Sequence, residues 1–186
     1  GNVGMLGLSW GGFNGLQLAA LSPPELKAVV TVCSSDDRYT DDVHYMGGCH
    51  LTDNVSWAST MFLLNSCPPD PLAAGENWRN MWFERLEGSG LWIKNWLEHQ
   101  KRDDFWKHAS ICENYSAIKA PVFAVSGWAD GYSNTVFRLM ENLNVPVRGL
   151  VGPWEHIYPH LESIEPAIDF LGECIKWYDR WLKDIP

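Results

Sequence analysis

Hydrophobic residues follow two rhythms along this chain. Val3, Met5, Leu6 and Leu8 form a nearly continuous apolar run, the pattern of a strand buried on both faces. Phe13, Leu16, Ala20 and Leu21 then recur at helical spacing until Ser22-Pro23-Pro24 stops them, because proline cannot continue a helix. Residues 27–33 are a second, β-branched strand, so the opening reads strand, sharp turn, helix, strand. From Ser34 the chain turns polar and acidic, and up to about Asn114 it lacks strand alternation. Helical stretches are expected there at 55–64, 76–87 and 91–100, punctuated by Pro68, Pro69, Pro71 and Gly88-Ser89-Gly90. Strand grammar returns at 120–128 and 145–154. Between them lies a helix at 133–144 with Val136, Leu139, Met140 and Leu143 on one face. The chain closes on a long amphipathic helix over 165–184, its stripe formed by Ile164, Ile168, Leu171, Ile175, Tyr178 and Leu182. The predicted class is α/β: a layered core at 1–36 and 114–186, with a helical cap inserted at 37–113.

The first turn carries candidate chemistry. Gly7-Leu8-Ser9-Trp10-Gly11 fits G-x-S-x-G between a strand and a helix, the context of a nucleophile elbow. Its bland alternative is a glycine-rich strand-to-helix turn. A serine nucleophile also needs a base and an acid, which in α/β-hydrolases follow in the order acid, then histidine. Asp130 comes directly after the 120–128 strand and His156 directly after the 145–154 strand, so order and placement both match. Ser9, His156 and Asp130 are therefore the candidate triad, with the Trp10 N–H as an oxyanion donor. His160, four residues past His156, is the rival base, and Pro159 between them argues against a helical metal-binding pair. Glu155 reads as a surface or supporting residue. Asp36, Asp37, Asp41, Asp42, His44, Cys49 and His50 are ligand types whose spacing fits no metal motif, so no metal or cofactor is expected.

Composition narrows the picture. Among 186 residues the formal net charge is -9, which argues against a nucleic-acid partner. No apolar run approaches a membrane span, so no membrane partner is expected. Five cysteines, widely spaced and without CxxC, read as reduced core thiols and tilt the compartment toward the cytoplasm, which the sequence otherwise leaves open along with oligomeric state. Six of the eleven tryptophans (57, 78, 82, 92, 96 and 106) fall in the helical block, as core, as pocket lining, or as both in different members. Asn54-Val55-Ser56 and Asn114-Tyr115-Ser116 fit the glycosylation sequon, a pattern frequent by chance.

The segments GLSWGG, DDVHYMGG, SGWADGY and GPWEH together resemble the CocE/NonD hydrolases, the group of cocaine-esterase-like enzymes and X-prolyl dipeptidyl-peptidases. The likeness spans nearly the whole chain, and G-W-x-D and G-P-W-x-H are its most specific pieces. It implies an α/β-hydrolase with a helical cap, a jelly-roll domain after it, and an upstream tyrosine completing the oxyanion hole. Neither the early strands and that tyrosine nor the jelly roll is within this sequence, so the chain reads as a piece of a longer hydrolase, expected to be inactive alone. By the same resemblance Ser9, Asp130 and His156 form the triad, Trp10 gives the backbone donor, and Tyr132 matches an acyl-pocket wall. Trp154, Asp41 and Asp42 are further pocket candidates. The implied function is serine hydrolysis of a small acyl ester or short X-prolyl peptide or amide through an acyl-enzyme. The alternatives are an α-amino-acid ester hydrolase or acylase and a non-catalytic binding relative. Tyr132 and Ser133 stand where the amino-ester enzymes carry a second acidic pair, which weakens the first alternative.

Overall fold

The computed structural model describes residues 1–161 and 165–186. Strand β1 (Val3–Leu8) passes through Ser9 into helix α1 (Trp10–Ala20) and back to β2 (Leu26–Val32). A long excursion follows: a two-strand hairpin, β3 (Tyr45–Met46) and β4 (Cys49–His50), then α2 (Asp53–Ser66), α3 (Pro71–Ala74), α4 (Trp78–Gly88), α5 (Trp92–Glu98) and α6 (Asp104–Lys107). The core resumes with β5 (Val122–Gly127), α7 (Ser133–Asn142), β6 (Val147–Gly152) and α8 (Phe170–Lys183).

The four long strands are all parallel, in the order β1-β2-β5-β6. The inner strands β2 and β5 are buried almost throughout because helices cover both faces of the sheet, whereas Val3 and Leu6 of β1, expected to be buried, are exposed on this outer strand. Val29, Val122 and Ala124 pack on one side with Leu16 of α1 and Val136 and Leu139 of α7. Ala28, Val30, Val32, Phe123 and Val125 pack on the other with Phe170, Cys174 and Trp177 of α8. Each such fully buried valine, leucine or phenylalanine side chain contributes roughly 1.5–3 kcal/mol. Parallel register brings Leu8, Val32, Gly127 and Gly152 to one edge, and the loops leaving that edge carry the candidate chemistry.

Other expectations change as well: Leu171 and Ile175, placed on the stripe of the last helix, are exposed, and the face that α8 buries is Phe170, Cys174 and Trp177. Helix α8 begins at Phe170, not 165, because the Asp169 carboxylate caps it by accepting from the Gly172 N–H at 3.0 Å. Ile164, placed on that helix's stripe, lies outside the described residues. Met140 is exposed, so the buried apolar face of α7 is Val136 and Leu139, with Leu143 buried just past its end. Cysteine burial is also mixed: Cys33 and Cys174 are buried, whereas Cys49 and Cys67 are exposed on the excursion and are not core thiols. Among the described residues, no helix is long and apolar enough to cross a membrane.

The excursion has its own small core. Tyr45, Ala58, Trp96 and Trp106 are buried together, with Tyr39, Trp57 and Trp92 packed against them. A salt-linked network ties its start to the sheet layer. Arg138 on α7 holds Asp36 through Nε at 3.0 Å and Asp41 through Nη1 at 2.7 Å, with both carboxylates buried.

Candidate active site

Ser9 stands where β1 becomes α1, and it pays in backbone strain. Its φ of 57° and ψ of -120° lie outside the regions a side chain prefers. The conformation is fixed from both sides: Ser9 N–H donates to the Val32 carbonyl at 2.8 Å, and its own carbonyl accepts from Phe13 N–H at 2.9 Å. The turn is so tight that a Cβ on Gly7 would collide with the Gly11 backbone. Trp10 is the first residue of α1, and helix geometry gives its N–H no intrahelical acceptor.

Asp130 and His156 arrive on the loops after β5 and β6. His156 Nδ1 and Asp130 Oδ1 are 2.9 Å apart, and the Ser126 hydroxyl donates to Asp130 Oδ2 at 2.6 Å. Burial acts to raise the Asp130 carboxyl, but hydrogen bonds from His156, Ser126 and Cys33 outweigh it and hold the group below its ordinary value. The two loops are locked together by Trp154. Its carbonyl accepts from Ala129 N–H at 3.1 Å, its indole N–H donates to the Pro166 carbonyl at 2.9 Å, and its backbone crosses Gly127 where any side chain would clash.

A cavity of about 630 Å³ opens beside these groups. Ser9, His156 and Tyr132 line it, and Trp10, Trp57, Trp92 and Trp96 supply aromatic wall. Trp10 meets Trp57 and Trp92 edge-on, at centroid distances of 5.8 and 6.1 Å. Trp106, by contrast, is wholly buried core. Opposite in character are Arg38, Asp42 and His44, which also line the cavity. Burial pushes the Asp42 carboxyl up to about 6 against hydrogen bonds from Val43 N–H, Ser35 and Tyr132. Burial likewise pulls His44 down to about 4, so its ring is neutral at pH 7.

Of the residues singled out in the sequence, Ser9, Trp10, His156, Tyr132 and Asp42 line the cavity, with Asp130 bonded to His156. Two do not belong there. Trp154 is buried scaffolding between the two loops, and Asp41 is engaged by Arg138. His160 is no partner of Asp130 in this arrangement; its ring stacks on Phe170 at 6.0 Å. Asn54, noted only within a sequon, is fully buried and hydrogen-bonded to His44, which excludes a glycan in the folded protein. Among the described residues, Cys33, Asp130 and His156 bring three metal-ligand atoms within 4.8 Å of one another. Burial and the neighbouring Asp130 charge raise the Cys33 thiol far above its usual range, so it sits there as a protonated donor.

The profile of the X-Pro dipeptidyl-peptidase (S15) family matches residues 1–158. The chain is 24% identical over 179 residues to cocaine esterase of Rhodococcus sp. (strain MB1 Bresler), covering 84% of this chain and 31% of that protein. The fold is shared with an aminopeptidase from a marine sediment Thaumarchaeota archaeon, with TM-score 0.61, 19% identity, and coverage of 100% of this chain and 35% of that one. It is shared also with an α-amino acid ester hydrolase, with TM-score 0.53, 21% identity, and coverage of 83% and 28%. The chain thus spans about a third of the length of these relatives, and its architecture is that of a partial α/β-hydrolase.

Proposed function

The chain belongs to the X-Pro dipeptidyl-peptidase (S15) family, and from that premise we propose that it carries the reaction centre of a serine hydrolase of esters or peptides. The observation that carries the reading is the Asp130–His156 hydrogen bond beside a cavity that Ser9 also lines. A carboxylate oxygen can only accept, so His156 Nδ1 donates to Asp130 and Nε2 is left as the base.

In this reading Ser9 Oγ attacks the substrate carbonyl carbon while His156 Nε2 takes its proton. The carbonyl electron pair moves onto oxygen, where the Trp10 N–H and the α1 N-terminus offset the negative charge. Collapse of that intermediate breaks the bond to the leaving group, which receives the proton from His156. Water then repeats the sequence on the acyl-serine, releasing the acid and restoring Ser9. Asp130 keeps the imidazole in one tautomer and stabilises its protonated form. The aromatic wall of Trp10, Trp57, Trp92 and Trp96 accepts the apolar part of the acyl compound. The helical segment at 37–113 acts as a cap over this site.

The test is Ser9→Ala in the full-length protein, assayed on a p-nitrophenyl ester and an X-Pro p-nitroanilide. The expected loss is about 10⁴–10⁶ in kcat, with a fluorophosphonate labelling Ser9 in the unaltered protein. Undiminished turnover by Ser9→Ala would remove the assignment. Whichever chromogenic substrate is turned over identifies the bond class.

A further inference from the structure

The cavity wall includes a histidine whose tautomer can be read from its neighbours. Asn54 is 0% exposed, and its amide nitrogen donates to two carbonyls, His44 O at 2.7 Å and Leu51 O at 3.1 Å. Carbonyls only accept, so the Asn54 amide cannot be turned around, and its Oδ1 is the atom facing His44 Nδ1 at 2.7 Å. An amide oxygen also only accepts. His44 Nδ1 therefore carries the proton, and Nε2 of the neutral ring holds a bare lone pair.

That ring is rigidly held. Trp96 and Trp106 flank it with centroids at 4.5 and 4.8 Å, and His44 is 93% removed from solvent while still lining the cavity. Among the described residues Nε2 has no hydrogen-bond partner and is not one of the fully enclosed polar atoms, so this acceptor, held at the cavity wall, is open to whatever brings it a donor. The charge nearby decides which donor. Arg38 lines the same wall near the Asp42 carboxylate, anchored by Nη1 to the Phe105 and His108 carbonyls at 2.9 and 2.7 Å, and of these two charges it is Arg38 whose positive field acts on His44. A second cation is disfavoured there, whereas a neutral hydroxyl is not.

We propose that His44 Nε2, set by Asn54, is a specificity-determining acceptor in the cavity that Ser9 also lines, selecting substrates that bear a neutral hydroxyl. This rests on the proposed hydrolase function only for what delivers the hydroxyl; the acceptor itself can be tested by binding alone.

The experiment uses the full-length protein carrying Ser9→Ala and three matched series of acids from butanoate to octanoate: ω-hydroxy, unsubstituted and ω-amino. Calorimetric titration at pH 7 should show the best ω-hydroxy acid binding about tenfold tighter than its unsubstituted partner. Adding His44→Phe, which keeps a ring between the tryptophans, should bring that ratio to about one. Should His44→Phe fail to fold, ¹⁵N-histidine NMR of the Ser9→Ala protein still decides. The His44 Nε2 resonance should be that of an unprotonated nitrogen and should move with the ω-hydroxy acid but not with the alkanoate. A proton on Nε2, equal binding of hydroxy and unsubstituted acids, or tighter binding of the ω-amino acid overturns the proposal. None of these readings needs catalysis, so a failure of Ser9 chemistry shows separately, as an unaltered protein that turns over no ester or anilide.

Discussion

Gly127→Ala separates the backbone that aligns Asp130 with His156 from the residues themselves. A Cβ at this position would lie 1.8 Å from the Trp154 carbonyl oxygen, and that neighbour is backbone, which cannot rotate away. Restoring the 3.4 Å of ordinary contact requires the end of β5 and the Trp154 segment to part by about 1.6 Å. Asp130 is three residues beyond Gly127 and His156 two beyond Trp154, so the strain falls on their 2.9 Å hydrogen bond. Misplacing a reacting group by about 1 Å costs on the order of 10²-fold in rate. Forcing a methyl group into packed backbone costs about 1–3 kcal/mol in stability. Gly131→Ala is the matched control, since nothing lies within 4 Å of a Cβ there although Asp130 is adjacent. The assay is kcat/KM on a p-nitrophenyl ester beside the thermal midpoint for both variants. Gly127→Ala with the activity and midpoint of the unaltered protein would refute the argument that this crossing aligns the two loops.

Other perturbations address neighbouring parts of the structure. Asp130→Asn should lower kcat about 10⁴-fold, and adding His156→Ala should cost little more because the two act as a unit, while His160→Ala should be mild; stopped-assay kinetics on the three variants check this. Asp42→Asn should stabilise the protein at pH 7 by on the order of 1–3 kcal/mol in urea unfolding. The folded carboxyl sits at about 6, above its ordinary 3.8, so ionised Asp42 opposes folding fully above pH 6, and the gain from Asn should vanish below about pH 4. Arg138→Met should strand the buried Asp36 and Asp41 carboxylates and cost about 3–5 kcal/mol, measured the same way; a loss within error would mean the pair is already compensated.

How far the sequence could be read depended on whether the physical cause was local. The Ser9 turn was legible because strand, serine, glycines and helix are contiguous, and Asp130 and His156 were legible because each follows its strand directly. Trp154 was misplaced for the same reason. Beside His156 in Gly-Pro-Trp-Glu-His it looks like part of the pocket, and only the three-dimensional crossing over Gly127 gives it a scaffolding task. Asp41 and Asp42 are adjacent and chemically identical, yet Arg138, nearly a hundred residues on, takes the first and leaves the second at the cavity. Asn54 was hidden behind a sequon, although ten residues separate it from the histidine it orients. The β3–β4 hairpin escaped the reading because two residues per strand are too few for any alternation to show.

The pairing of β2 with β5 has a bearing on how such a protein can diversify. Val29–Val32 and Val122–Val125 are hydrogen-bonded neighbours in register, although the whole aromatic excursion intervenes in the chain. Its points of departure and return meet at its neck, where the Cys112 N–H donates to the Asp36 carbonyl at 3.1 Å. Lengthening, shortening or replacing what lies between them leaves the distance to be bridged unchanged. Chain-closure entropy grows only with the logarithm of length, about 0.6 kcal/mol for each doubling. The sheet that aligns Ser9, Asp130 and His156 is thereby insulated from change in the segment that furnishes Trp57, Trp92, Trp96 and His44. Under the proposed function, exchanging that segment as a cassette would rewrite selectivity while Ser9, Asp130 and His156 keep their places.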